Sequence, residues 1–374
     1  MLTRIAKIDY DWAIFFGIIP LIAAGLITMY SFGETSAFFS RQLIWVGISF
    51  AVFVFVSLLD LRFLRETRFV VMLYGIIASL LLLLFILGST FKGSTSWFDF
   101  GFFAFQPSDP AKLVLILVLA KYFSRRHVDI KNIRHIFVSG FYALILFILI
   151  FLQPDFGSAI IIVGIWFGMV LVSGISKKHI LLLLSTALVV FSLLWFFGFT
   201  DIQKARLESF LHPYADLTGA GYNAYQSAVA VGSGELLGKG IGYGTQSRLQ
   251  FLPEYESDFI FAAFSEEWGF VGVMFLFFFF GFVIWRIVLN AQDGATNFET
   301  LYAVGFASML LSHFVIHVGT NIGLLPVTGL TMPFMSYGGS HLLTEFLGLG
   351  VLISMRQYRR ESKEIIGRGD ILEA

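Results

Sequence analysis

Long apolar runs separated by short polar segments organise this chain. Residues 12–32, 42–59, 68–88, 136–152, 180–199 and 269–291 are almost uninterrupted, and each approaches the roughly 20 residues that carry an α-helix across a bilayer core. Further runs at 110–124, 157–174, 299–320 and 340–355 are shorter or dotted with polar side chains. The pattern predicts an all-α, polytopic membrane protein of about ten transmembrane helices. The dotted runs carry the chemical interest, because polar groups in hydrocarbon are costly and turn toward a bundle interior or a water-filled cavity.

The connecting segments differ sharply. A large loop, about 200–257, separates the seventh run from the eighth, and a C-terminal tail follows from about 356 to 374. The segment at about 321–339, NIGLLPVTGLTMPFMSYGG, has no charged residue. Its Gly, Pro, Ser and Thr break helices while it stays apolar, which predicts a re-entrant segment lying against protein or a water-filled cavity. The stretch WFDFGFFAFQPSD (97–109) has the same character: aromatic, interfacial and closed by a proline. The first run is too long for a signal-peptide core and reads as a retained first span. The whole chain, 1–374, reads as a single integral membrane domain.

Composition supports this picture. Apolar types make up 57% of the chain and charged types 13%, against about a quarter charged in a soluble domain. Formal net charge is zero, which suggests no nucleic-acid partner, and the absence of cysteine excludes disulfides, thiol catalysis and cysteine-ligated metals. With the N-terminus inside, most lysines and arginines fall on the inner segments, among them Arg62, Arg65, Arg125, Arg126, Lys177, Lys178, Arg359 and Arg360. The positive-inside rule therefore places both termini in the cytoplasm and the large loop outside.

Candidate chemistry clusters where the large loop meets the eighth span. FLPEYESDFIFAAFSEEWGF (251–270) holds Glu254, Glu256, Asp258, Glu266 and Glu267. Asp258 admits two readings. It can cap or begin a helix, favoured by the helix dipole, or it can act as a general base whose proton affinity is raised by desolvation beside Phe259 and Ile260. Glu254 and Glu256 face water as loop acids or help to hold magnesium or manganese, which favour oxygen ligands. Of Glu266 and Glu267, at least one is expected to pair inside the bundle.

Asp109 and Lys112 share a helix face through their spacing of three, as an ion pair. Asp109 also suits an N-cap between Pro107 and Pro110, whereas an intramembrane Lys112 needs a partner or an anionic ligand. The glycine-rich segment 221–254 lacks a phosphate-loop signature. It reads either as a flexible linker or as a loop that holds glycan hydroxyls and phosphate through backbone amides and the cations Lys239 and Arg248. His313 with His317, and His341 with Glu345, each share a face at a spacing of four. A buried His–Glu hydrogen bond is favoured there over a metal site.

Four ordered motifs resemble the SEDS family (shape, elongation, division and sporulation) over nearly the whole chain. FQPSDPAKL resembles the family's FQPSE-x-AKL, and QPDFGSA (153–159) its QPDLGTA. GYNAYQSAVAVGSGELLGKGIGYGTQSRLQFLPEYESDFIFAAFSEEWGF is similar to its central loop and following helix, and GLLPVTGLTMPFMSYGGS to its penultimate loop. GTQSRLQFLPE is closer to the elongation branch, RodA, than to the division branch, FtsW. The departures are Asp109 where the family has Glu, followed by Pro110; His317 where it has Asn; His341 where it has a small residue; and Glu345, a less usual intramembrane acid. His341 and Glu345 are expected to form a compensating buried pair.

The resemblance implies a peptidoglycan glycosyltransferase of the bacterial cytoplasmic membrane that polymerises lipid II, a disaccharide-peptide on undecaprenyl pyrophosphate. Its implied partners are a class B penicillin-binding protein and other membrane proteins of the elongation complex. It assigns the essential acid to Asp258 and the acid–lysine pair to Asp109 and Lys112. Converting an α-linked donor to a β-linked product needs one inverting displacement, a base for the acceptor hydroxyl and charge stabilisation for the pyrophosphate. The second carboxyl of hydrolytic glycosidases is unnecessary for so good a leaving group. Candidates for binding substrate are Lys112, Asp109, Arg206, Lys239, Arg248, Gln246 and Ser336, with a divalent ion on Glu254 and Glu256. Rival readings are a lipid flippase, a non-catalytic scaffold for the penicillin-binding protein and, ranked lower, a lipid-linked O-antigen ligase.

Overall fold

A computed structural model describes residues 11–31, 37–91, 94–101, 103–125, 133–174, 176–212, 221–249, 251–292, 294 and 296–372. Each predicted run coincides with a helix. In chain order these are α1 (Trp12–Ser31), α2 (Ala37–Leu58), α3 (Thr67–Leu87), α4 (Ser108–Ser124), α5 (Ile133–Phe151), α6 (Phe156–Val172), α7 (Lys177–Leu193), α11 (Ile260–Gln292), α12 (Asn297–Asn321) and α13 (Gly339–Leu372). Among the described residues, seven helices are long and apolar enough to cross a membrane. This is a multi-pass membrane protein.

The large loop is more structured than its composition suggests, carrying α8 (Asp201–Leu211), α9 (Tyr222–Ser233) and the single turn α10 (Thr245–Arg248). The all-α expectation also needs a small amendment. Strands β1 (Ser89–Phe91), β2 (Ser94–Asp99) and β3 (Ala104–Phe105) form an antiparallel sheet in the order β1-β2-β3. β2 reads STSWFD, too short and too polar for a helix, and Thr95 N–H donates to the Gln153 carbonyl, 3.3 Å away, at the end of α5.

Two helices sit at the centre. α4 buries most of its residues, and α12 buries 67% of its apolar window, whereas the span at Lys178–Gly198 buries none. α12 packs on α4, α6 and α11; α13 packs on α2; and α1 packs on α11. Small residues bring α6 and α12 together, since a Cβ at Gly164 or Gly168 would run into Ser312 or Ser308. That close approach is how membrane helices associate without a hydrophobic driving force.

At the end opposite the candidate site, Asp11 accepts from Arg286 Nη2 at 2.6 Å and lies 3.3 Å from Arg356 Nη1, joining the start of α1 to the last turns of α11 and the middle of α13. Arg65 and Glu299 pair at 2.6 Å at the start of α12.

Candidate functional site

Asp258 lies in a tight turn that delivers the chain to α11. Glu254, held at φ +52°, offers its carbonyl to the N–H groups of Ser257 and Phe259, both at 3.1 Å. The eighth predicted span, α11, begins at Ile260, earlier than the apolar run at 269 predicts, and is broken internally at Gly269. Phe259 is its N-cap residue, with its carbonyl accepting from Ala263 N–H at 3.1 Å. Asp258 therefore stands one residue before the cap position, which answers the capping reading.

The orphan N–H of the first turn is satisfied from another helix instead. Asn321, the last residue of α12 and fully buried, accepts from Ala262 N–H at 3.0 Å through Oδ1 and donates through Nδ2 to the Asp258 carbonyl at 3.0 Å. Asn321 had no role in the sequence reading, because nothing local in the sequence marks a cap supplied from elsewhere.

The uncharged segment runs along this turn. Ser336 Oγ donates to the Ser257 carbonyl at 2.7 Å and accepts from Met332 N–H at 2.8 Å, and Tyr337 N–H donates to the Glu256 carbonyl at 2.8 Å. Ser336 thus braces two backbones. Gln42 on α2 fixes the same stretch, donating to the Ser336 carbonyl at 3.0 Å and accepting from Gly338 N–H at 3.4 Å. Gly329, at φ +69°, passes so near Asp258 that an added Cβ would lie 3.5 Å from Oδ2.

Buried side chains hold this segment from the bundle side. His317 Nδ1 donates to the Leu330 carbonyl at 2.7 Å, and His313 Nδ1 to the Thr331 carbonyl at 3.4 Å. A carbonyl only accepts, so both rings carry their proton on Nδ1. Phe334, strained at φ +59°, donates its N–H to Glu345 Oε2 at 3.0 Å.

Glu345 belongs to a second cluster beneath. Lys112 Nζ donates to Asp109 Oδ1 at 2.9 Å, so the shorter acid still reaches its lysine. His341 Nδ1 lies 3.5 Å from the same oxygen, and its Nε2 lies 3.0 Å from Glu345 Oε1. All four are buried. Two carboxylates face one ammonium and one imidazole, so the cluster is electrically balanced when His341 carries a second proton. Asp155, unassigned by the sequence reading, ties two motifs together: Oδ1 caps α6 by accepting from Ser158 N–H at 3.0 Å, and Oδ2 accepts from Gln106 Nε2 at 2.9 Å.

Glu266 meets the expectation of an internal pair. It accepts from Lys239 Nζ at 2.7 Å, Thr245 N–H at 2.8 Å and Gln246 N–H at 3.1 Å, while Glu267 accepts from Ser31 Oγ at 2.7 Å and Gly242 N–H at 2.9 Å. The two glutamates lash the large loop to α11, and the loop's Lys239 and Gln246 take part in that lashing.

Arg248 is exposed and donates to the Gly242 carbonyl at 3.3 Å. Arg206 lies on α8, which packs extensively on no other helix among the described residues. Burial and the neighbouring Glu256 carboxylate raise the Tyr255 phenol above its ordinary value. The described residues contain no group of three or more His, Cys, Asp or Glu side chains that could hold a metal ion.

Known proteins resemble this chain over most of its length. The sequence profile of FtsW, RodA and SpoVE, described as "Cell cycle protein", matches residues 5–361. Stage V sporulation protein E of Bacillus subtilis is 33% identical over 91% of this chain and 95% of its own length. Peptidoglycan glycosyltransferase MrdB of Escherichia coli K12 is 35% identical over 77% of this chain and 78% of its own. A structure solved in work on coordinated polymerization and crosslinking by a peptidoglycan synthase complex superposes with a TM-score of 0.80 at 30% identity, covering 94% of this chain and 98% of that one. RodA of Thermus thermophilus superposes at 0.70 with 27% identity over the same shares.

Proposed function

The chain belongs to the FtsW/RodA/SpoVE family, and we propose that it is a peptidoglycan glycosyltransferase that polymerises lipid II. The observation that carries the reading is the position of Asp258: a carboxylate at the mouth of α11, its backbone fixed by Asn321 and its Oδ2 lying against the uncharged segment at Gly329. Named relatives among the peptidoglycan glycosyltransferases support the activity.

Asp258 takes the proton of the acceptor 4-hydroxyl. The freed oxygen attacks the donor's anomeric carbon from the face opposite the pyrophosphate. The bond between that carbon and the pyrophosphate oxygen breaks, and undecaprenyl pyrophosphate leaves with the electron pair, giving the β-linked product. A positioned base of this kind supplies about 10²–10⁴-fold. Because Lys112 and Lys239 are each engaged by a carboxylate, Arg248 and Arg206 are the cations we assign to the leaving pyrophosphate. Asp109 and Lys112 support the site from within the bundle, and Gln246, whose N–H is held by Glu266, lies on the same turn as Arg248. Glu254 and Glu256 would be the residues to hold a magnesium or manganese ion, which would supply charge neutralisation for the leaving group.

We place the site at the outer face of the cytoplasmic membrane from the lysine and arginine distribution. The partner is a class B penicillin-binding protein, by analogy with the synthase complex whose structure this chain matches. GTQSRLQFLPE favours service in cell elongation. The decisive assay uses purified full-length protein in nanodiscs with lipid II. Native protein should make polymer without a second enzyme. Asp258→Asn should lose at least a hundredfold in rate with its unfolding temperature unchanged. Undiminished polymer from that variant would overturn the assignment of the base. Lipid II translocation without polymer would favour a flippase.

A further inference from the structure

Helix α11 is 33 residues long and is broken at Gly269, where φ is +64° and ψ −167°. Residues 270–292 beyond the break rise about 35 Å at 1.5 Å per residue, enough to cross a hydrocarbon core of about 30 Å. The break therefore sits at the edge of the hydrocarbon, at the Asp258 end. A helix interrupted there leaves carbonyls on one side and N–H groups on the other that need partners, and lipid supplies none.

The segment Gly234–Gly240 supplies them. Phe270 N–H donates to the Glu235 carbonyl at 2.9 Å and Val271 N–H to the Leu236 carbonyl at 3.1 Å. In the other direction, Lys239 N–H donates to the Glu266 carbonyl at 2.9 Å and Gly240 N–H to the Glu267 carbonyl at 3.0 Å. The turn is spliced into the gap, and side chains are excluded from its inner face: a Cβ at Gly234 or Gly238 would overlap the backbone of Ser265 or Glu267. The outer face is apolar. Leu236 is 69% exposed and Leu237 80%, and they adjoin Phe270 at 55% and Val271 at 50% on α11. The Lys239 ammonium is drawn inward to Glu266 at 2.7 Å. Glu235 is the remaining charged side chain of the turn and is exposed.

We propose that the Gly234–Gly240 turn is a membrane-inserted element, with Leu236 and Leu237 seated among lipid acyl chains of the leaflet at the Asp258 end. The occupant follows from continuity: the leucines extend the lipid-facing surface of a spanning helix and are fastened to it by backbone bonds at the hydrocarbon edge. The large loop is thereby held down on the bilayer beside the site instead of standing in water. This inference does not depend on the enzymatic reading.

Because the chain has no cysteine, Leu237→Cys gives a single labelling site. Spin-labelled full-length protein in phosphatidylcholine–phosphatidylglycerol nanodiscs is compared with Phe278→Cys, a lipid-facing reference deeper on α11. The expected result at 237 is collision with oxygen exceeding that with a water-soluble nickel chelate, at a depth between the headgroups and residue 278. Nickel accessibility like that of a free label in buffer would overturn the proposal. Shielding from both reagents would also overturn it, because protein would then cover the turn. Leu236→Cys provides the same reading independently if one variant fails to fold.

Discussion

Asn321 holds Asp258 by its backbone: the amide of the last residue of α12 donates to the Asp258 carbonyl at 3.0 Å and accepts from Ala262 N–H at the same distance. One buried side chain thus caps α11 and fixes the residue before it, linking helix packing directly to the aim of the carboxylate. Asn321→Ala removes both bonds and leaves a buried N–H unpaired. Loss of a cap costs about 0.5–2 kcal/mol, so the unfolding temperature should fall modestly, while the polymerisation rate should fall by about tenfold or more because misplacement of a base is costly. A rate indistinguishable from native would remove Asn321 from the site.

His341 and Glu345 are one helical turn apart with Nε2 and Oε1 at 3.0 Å. Glu345 also accepts from Phe334 N–H. Single substitutions His341→Asn and Glu345→Gln should each destabilise the protein, and the double variant should recover part of the combined loss. A coupling of about 0.5–3 kcal/mol is expected for contacting residues. Additive losses in denaturant unfolding would dissolve the pairing. Because the pair holds the segment that lies against Asp258, kcat should respond more than KM.

Asp109 and Lys112 form a buried pair at 2.9 Å. Removing one partner of such a pair costs about 3–5 kcal/mol, whereas removing both is far milder. Asp109→Asn and Lys112→Met alone should therefore unfold at lower temperature than the combined variant. If the double variant were the least stable of the three, the charges would be acting separately.

Glu266 accepts from Lys239, Thr245 and Gln246. Glu266→Ala should release residues 239–247, raising amide hydrogen exchange there by about tenfold, since such local openings are governed by a few hydrogen bonds. Glu266→Gln keeps an acceptor and should show a smaller change. Unchanged exchange in both variants would show that the loop is held by other contacts.

The amino-acid sequence determined whatever depends on local period and composition. The apolar runs specify the helices because only a helix satisfies its own backbone in hydrocarbon, and fixed spacing along one helix specifies both the Asp109–Lys112 and His341–Glu345 pairs. It also located the acids at the entrance to α11. Tertiary structure decided everything that joins distant segments. Asn321 caps a helix that begins sixty-odd residues earlier in the chain, Asp155 joins two motifs through Gln106, and His313 and His317 turn toward loop carbonyls where a shared helix face gave no partner. Gly269 opens the apolar run 269–291, where nothing in the pattern marks a break in a longer helix, and Gly234–Gly240 arrives to take the backbone groups that the break frees. Hydrogen bonds between remote residues leave no periodic trace in a sequence; they exist once packing has brought donor and acceptor together away from water.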